Sequence, residues 1–194
     1  MDSDEIDIEA EVRVRQVFAY FGRAMYAASC VEQALIIGLM QADLMSRTIG
    51  RARGTGDIPN RQAWEAMFDE FMEKHDGLMF GNLISRFRSV VKLTAELVVL
   101  LEESLEKRNH LAHSFFRENA VEFAHEAGCV QMISELEGIH ELFLRTEEAV
   151  TAASAHVIPK LGFDPEKHRA DAEKIAEDLL SQARARAAHG GDSE

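Results

Sequence analysis

Apolar residues recur every three or four positions along almost the whole chain, and this spacing limits the chain to a helical fold. A helix places residues three and four apart on one face, whereas a half-buried strand needs apolar residues at every second position. No segment shows convincing strand alternation, and the 194 residues include only three prolines. The first long apolar series is Val14, Phe18, Phe21, Met25, Ala28, Leu35, Leu39 and Ala42. The sequence therefore predicts an all-α protein, an antiparallel helical bundle with an additional C-terminal helix.

Breaks in the apolar pattern divide the chain into separate helices. Glycines and a proline between Gly50 and Asn60 predict a loop, and glycines at 77 and 81 predict a turn. After the long first helix, the predicted helices cover 61–75, 82–88, 90–117 and 132–157, with a break near Gly128. Asp164 and Pro165 suit the N-cap and first turn of a last helix. We therefore expect a helical bundle over residues 1–160 and a C-terminal helix and tail over residues 161–194.

The chain is acidic, with 34 Asp and Glu residues against 21 Lys and Arg residues and a formal net charge of -13. A general nucleic-acid binder gains affinity by neutralising phosphates, so this charge argues against one, and no DNA partner is predicted. Basic residues are nevertheless concentrated around one segment. Five of them are candidates for contact with RNA: Arg86, Arg88, Lys92, Lys107 and Arg117. Ordinary solvated surface charges explain this concentration equally well.

The cysteine content and the N-terminal residues indicate the cellular compartment in which we expect the protein. Cys30 and Cys129 show no metal-ligand spacing, so neither a disulfide framework nor a zinc site is expected. The first residues are acidic where a signal peptide would be basic, and no apolar run approaches the length of a membrane span. We expect a cytoplasmic protein with no membrane partner.

One charge interrupts the apolar face of the predicted helix over 90–117. On a helical wheel of about 100° per residue, Arg108 lies within roughly 60° of Leu97, among apolar neighbours. A buried guanidinium without a partner is costly, so Arg108 must meet a carboxylate, a dimer cleft or a bound anion. Glu32 interrupts the apolar series of the first helix in the same way. Two such faces are expected to meet in one bundle, so we predict a buried or half-buried ion pair between Glu32 and Arg108.

The residues that follow Arg108 have chemistry of their own. Asn109 and His113 are four apart and therefore share one helix face. Histidine can move a proton near neutral pH, arginine can stabilise charge on phosphate oxygens, and Asn109 can orient the imidazole. Together they suffice for attack of an RNA 2′-hydroxyl on its neighbouring phosphate without a metal or other cofactor. Taken alone, His113 is better explained as a solvated surface histidine, and only its place beside Arg108 and Asn109 favours a catalytic role.

His110 lies three residues before His113 and is a candidate supporting residue. Two histidines at this spacing could share a metal, but the glutamate of the helical zinc-protease motif is absent. No metal site is therefore predicted here.

The string Arg108, Asn109, three further residues and His113 resembles the motif of the HEPN superfamily. That motif is an arginine, usually followed by a polar residue, with a histidine four to six residues further on. The resemblance implies a compact helical bundle, commonly a homodimer in which two copies of the motif meet at one cleft. It implies catalytic roles for Arg108, Asn109 and His113, with Glu32 as a supporting acid. Many proteins of this kind are metal-independent endoribonucleases of toxin-antitoxin, phage-defence or RNA-processing systems.

One departure from the HEPN pattern bears on regulation. In the branch that is paired with nucleotidyltransferase antitoxins, a tyrosine two residues after the histidine receives the inactivating nucleotide. This position is Phe115 here, so control by that modification is not expected.

The sequence thus predicts a homodimeric HEPN-like endoribonuclease acting on unstructured RNA, with an antitoxin or other regulatory protein as a further partner. Arg108 would bind the scissile phosphate and His113 would act as acid or base. The alternative is a non-catalytic nucleotide-binding or protein-interaction module in which Glu32 and Arg108 form a structural pair. The two hypotheses differ at His113, which catalysis requires in a cleft beside Arg108 and a scaffold does not.

Overall fold

The computed structural model describes residues 3–56 and 60–155, together with residues 170, 173–174, 176–182 and 184. The chain divides into two compact units, residues 1–155 and residues 156–194. Within the described part of the first unit there are seven α-helices and no strand, so the predicted all-α bundle is confirmed. The helices are α1 (Ser3–Leu39), α2 (Ser46–Thr55), α3 (Arg61–Asp76), α4 (Phe80–Val90), α5 (Ala95–His113), α6 (Phe115–Glu118) and α7 (Glu126–Ala155).

In the second unit the described residues are helical and exposed. The predicted helix start at Asp164 and Pro165 lies outside the described residues. No helix in the described ranges is long and apolar enough to cross a membrane.

α1 and α2 form one continuous helical path, because the six residues between them, Met40–Met45, adopt a π-helix. Leu39 before this π segment and Ser46 after it both have right-handed helical backbone angles. The path ends at Gly56, whose φ of 73° is the left-handed conformation that favours glycine and whose N–H bonds to the carbonyl of Ala52. The loop predicted to start at Gly50 is therefore wrong for residues 50–55. An exposed glycine costs a helix only about 1 kcal/mol, so Gly50 and Gly54 do not end it.

The next three helices are close to those expected, but their ends differ. α3 matches the predicted helix over 61–75, and the Asn60 side chain caps it by accepting a hydrogen bond from the N–H of Ala63 at 2.9 Å. α4 begins before Gly81, so only Gly77 lies in the turn. The helix predicted over 90–117 is interrupted at both ends: Val91 is buried in an extended conformation, and the chain bends at Ser114.

The break predicted near Gly128 lies a few residues earlier, between the end of α6 at Glu118 and the start of α7 at Glu126. Gly128 lies in the first turn of α7. The position that a Cβ atom would occupy points at the backbone of Glu122, which belongs to a short 3₁₀ turn, Glu122–Ala124. A side chain at this position would collide with the Glu122 backbone. The glycine therefore permits a close approach of two segments.

The contacts between helices define the bundle. Arg13 and Glu126 form an ion pair at 3.8 Å and Arg23 and Glu137 form one at 4.0 Å, so α1 and α7 run in the same direction. α5 runs antiparallel to both. The core between the helices is apolar; its largest fully buried side chains are Phe80, Phe87, Phe115, Phe143, Leu35, Leu83, Leu101, Met132 and Leu136.

Candidate functional site

The candidate site occupies the last two turns of α5. The hydroxyl of Thr94 begins this helix by accepting a hydrogen bond from the N–H of Leu97 at 3.2 Å. At the other end the backbone of Ser114 leaves the helical conformation, and Phe115 is fully buried immediately after it. The chain bends at Ser114 to place Phe115 in the core, and this bend ends α5 at His113.

An aromatic cluster fixes this bend against α1. The ring of Phe21 lies 5.8 Å from the ring of Phe115 and 4.8 Å from that of Phe116. Phe18 also contacts Phe116, at 5.4 Å between ring centroids. Aromatic pairs at these separations stabilise packing beyond the area that they bury. The end of α5 is thus held on a rigid support.

The predicted ion pair between Glu32 and Arg108 is confirmed. Nε of Arg108 donates a hydrogen bond to Oε1 of Glu32 at 3.3 Å, joining α5 to α1. The two side chains are 31% and 26% exposed, so the pair is half-buried. The guanidinium makes no other hydrogen bond to the described residues. Its terminal Nη groups therefore remain available to bind an anion.

Asn109 and His113 are both exposed on the outer face of α5. Neither side chain makes a hydrogen bond to another residue in the described ranges. Arg108 and His113 are five positions apart, which corresponds to about 140° of rotation and roughly 7.5 Å along the helix axis. Within one chain, Arg108 therefore points towards α1 while His113 points to solvent.

His110 connects three helices. Its Nδ1 lies 3.5 Å from Oε2 of Glu118 in α6, and its Nε2 lies 3.3 Å from Oε1 of Glu135 in α7. The edge of its ring packs against Phe115, with 5.7 Å between centroids and 82° between planes. Nε2 is buried, and Glu135 lies outside hydrogen-bonding geometry. The contacts of His110 make it a support for the α5–α6 bend, one turn from His113.

The five basic residues predicted to contact RNA occupy different environments. Arg88 pairs with Glu102 of α5 at 2.9 Å, and Arg117 donates to the Ser114 hydroxyl at 3.0 Å. Lys92 is exposed and Lys107 is half-buried. These four lie near α5, where they remain candidates for RNA contact.

Arg86 has a structural contact that sequence reasoning missed. Its Nη1 lies 3.0 Å from Nε2 of His75, which is only 5% exposed. Nδ1 of His75 lies 2.6 Å from the carbonyl of Phe71. An arginine can only donate and a carbonyl can only accept, so His75 carries its proton on Nδ1 and is neutral. No motif marked His75, because the pairing depends on how α3 and α4 pack.

Comparison with models of known protein families, with curated proteins and with solved structures gives no match. Within the described ranges, no group of three or more His, Cys, Asp or Glu side chains is placed to hold a metal ion. The geometry of α5 and its neighbours is therefore the basis for the proposal below.

Proposed function

We propose that this chain is a metal-independent endoribonuclease of HEPN type that acts as a homodimer on unstructured RNA. The main support for the proposal is that only one of the guanidinium nitrogens of Arg108 has a hydrogen-bond partner among the described residues. Glu32 holds its Nε at 3.3 Å, while its terminal nitrogens have no partner among the described residues. An arginine oriented in this way is suited to bind a phosphate through its planar fork.

The proposed reaction uses groups that α5 carries. The 2′-oxygen of a ribose attacks the adjacent phosphorus, and the bond from phosphorus to the 5′-oxygen of the next nucleotide breaks. The 2′-hydroxyl loses a proton and the leaving 5′-oxygen gains one; His113 makes one of these two transfers and water makes the other. Arg108 stabilises the charge that develops on the phosphate oxygens. Asn109 makes no hydrogen bond to His113 within one chain, and its proposed role is to orient the imidazole when RNA is bound. The products are a 2′,3′-cyclic phosphate and a 5′-hydroxyl end.

A homodimer is part of the proposal because Arg108 and His113 point in different directions within one chain. A second copy would bring another Arg108 and His113 to the same cleft, so that an arginine and a histidine from different chains could act on one phosphate. One exposed apolar side chain near the end of α5 supports such an interface. Phe18 of α1 is 52% exposed, and its ring centroid lies 5.4 Å from that of Phe116.

The test is cleavage of end-labelled single-stranded RNA in EDTA. We expect the wild-type protein to produce 2′,3′-cyclic phosphate ends and the variants His113→Ala and Arg108→Ala to lose at least about 100-fold in rate. His140→Ala and Arg145→Ala, which change the same residue types on α7, should cleave at the wild-type rate. A mixed dimer of the two inactive variants should recover part of the activity if one cleft uses both chains.

The alternative is the non-catalytic nucleotide-binding or protein-interaction module. It is supported by the ion pair itself, since Glu32 and Arg108 are enough to fix the register of α1 against α5. A folded wild-type protein that cuts none of several RNAs would favour this alternative. So would cleavage that persists in both His113→Ala and Arg108→Ala, because that activity would come from elsewhere.

A further inference from the structure

A pocket of about 210 Å³ lies between the π segment Met40–Met45, α2 and α3. It is separate from the α5 site: Asp43 in its wall is eleven residues beyond Glu32, or roughly 16 Å along the helical path at about 1.5 Å per residue. The side chains that line it are Asp43, Leu44, Arg47, Thr48, Arg51, Met67, Glu70, Phe71, Lys74 and His75.

The floor of the pocket is apolar and rigid. Leu44 and Phe71 are buried, and the ring of His75 stacks on that of Phe71 with 4.0 Å between centroids. Both ring nitrogens of His75 are already engaged, by the Phe71 carbonyl and by Arg86. The floor therefore offers a ligand an apolar surface whose polar atoms are already satisfied. Small-molecule sites commonly combine such a floor with a few polar groups at the rim.

The rim of the pocket is basic in a strongly acidic protein. Arg47 pairs with Asp43 on the preceding turn. Arg51 and Lys74, from α2 and α3, make no ion pair with the described residues. Three cations face two carboxylates, Asp43 and Glu70, so the lining carries a net charge of about +1 with His75 neutral. Two cations without an ion-pair partner, contributed by two different helices to one pocket, are suited to bind an anion.

The π segment gives this pocket its shape. A π turn contains one more residue than an α turn, so it rotates the residues that follow around the helix axis. Asp43 and Leu44 lie in the π segment, and Arg47 and Arg51 lie two and six positions beyond its last residue, in α2. π segments inside long helices are frequent at functional sites, where they reposition side chains. Here the segment stands in the wall of the pocket that carries the basic rim.

We infer that this pocket binds a small phosphate monoester of about the size of a sugar phosphate. Arg51 and Lys74 hold the phosphate from two different helices, and the carbon skeleton lies against Met67 and Phe71. The volume is below the roughly 300–1,000 Å³ of sites for drug-sized ligands, which favours a compact molecule over a dinucleotide. This inference does not depend on the proposed ribonuclease activity, because binding at the pocket is measured without RNA cleavage.

Titration calorimetry with ribose 5-phosphate tests the inference, with ribose and inorganic phosphate as separate probes. We expect ribose 5-phosphate to bind more tightly than phosphate and ribose not to bind. Arg51→Gln and Lys74→Gln should each weaken binding about tenfold, as expected for loss of a charge-assisted hydrogen bond. Arg53→Gln is the matched control: it removes the same charge from α2 at a residue outside the pocket lining, and its affinity should stay within about twofold of the wild type.

Three results would overturn the inference once circular dichroism has shown that each variant is folded. The first is no binding of ribose 5-phosphate at millimolar concentration. The second is equal binding by the wild type, Arg51→Gln and Lys74→Gln. The third is binding of a 5′-phosphorylated oligoribonucleotide but not of the sugar phosphate, which would assign the pocket to an RNA end.

Discussion

Nε of Arg108 lies 3.3 Å from Oε1 of Glu32, although 76 positions separate the two residues in the sequence. This contact joins the helix that carries the candidate motif to the helix that begins the bundle. Each residue interrupts an otherwise apolar helix face, and each is compensated by the other. The pair therefore links the stability of the α1–α5 packing to the orientation of the guanidinium.

Removing the Glu32 charge should destabilise the protein moderately. For a half-buried pair we expect Glu32→Gln to lower the free energy of unfolding by about 1 kcal/mol, between the values for exposed and buried pairs. Arg108→Gln should have a similar effect, and the double variant should lose less than the sum of the two. Urea denaturation measures all three changes. Glu137→Gln, in an exposed pair with Arg23, is the control and should cost less than about 0.5 kcal/mol. Additive effects of Glu32→Gln and Arg108→Gln would contradict the pairing.

A buried hydroxyl pair should also contribute to stability. Ser104 of α5 and Thr146 of α7 are fully buried, and their hydroxyl oxygens are 2.8 Å apart. Thr146 donates its proton to the carbonyl of Leu142, so Ser104 is the donor to Thr146. Thr146→Val keeps the shape but removes the acceptor, and we expect it to cost about 1–2 kcal/mol in denaturant unfolding. Adding Ser104→Ala should restore part of this loss; no restoration would mean that the hydroxyls do not interact.

Two glycines of α1 should respond in opposite ways to alanine. A Cβ on Gly38 would lie 2.6 Å from Cε2 of Phe87 and 3.3 Å from Cβ of Ser154, so Gly38→Ala should overpack the core at a cost of about 1–3 kcal/mol. A Cβ on Gly22 would meet no atom within 4 Å, and Gly22→Ala should stabilise the helix by about 0.5–1 kcal/mol. Thermal unfolding measures both effects: the Tm should fall in Gly38→Ala and rise in Gly22→Ala. A stable Gly38→Ala variant would show that α1 does not pack this closely on α4.

The titration of His140 should depend on Arg23. Burial, and secondly the positive charge of Arg23, lower the pKa of His140 from its ordinary value of 6.5. The folded state therefore binds this proton less readily than the unfolded state. Neutral His140 therefore contributes to the free energy of unfolding above pH 6.5. This contribution is lost as the pH falls through the pKa of His140 in the folded protein, which is below 6.5. Arg23→Gln should raise the pKa of His140 in an NMR titration, whereas Arg145→Gln should leave it unchanged. An unaltered pKa in Arg23→Gln would remove Arg23 as a cause.

The helical class of the protein could be predicted because apolar periodicity depends on the chain alone. Residues three and four apart share a helix face whatever that face packs against. Helix ends were predicted less well, because the effect of a glycine depends on its surroundings. Gly50 and Gly54 are exposed and remain helical, while Gly128 is required by the nearby backbone of Glu122 rather than by a break.

The ion pair of the candidate site could also be predicted from the sequence. A charge on an apolar face needs a partner, and this requirement alone pointed to Glu32 and Arg108. The motif made His113 a candidate. The direction of its side chain relative to Arg108 depends on where α5 ends, and α5 ends where Phe115 enters the core.

The sequence by itself determined that the chain forms helices and that two opposite charges must meet, since both follow from local periodicity and the cost of an unpaired charge. Only the tertiary structure decided that His75 is neutral against Arg86 and that Arg51 faces the same pocket as Lys74. The first relationship joins α3 to α4. The second joins α2 to α3, and α2 follows a π segment whose extra residue per turn changes which side chains face the pocket. No spacing along the chain encodes such a rotation.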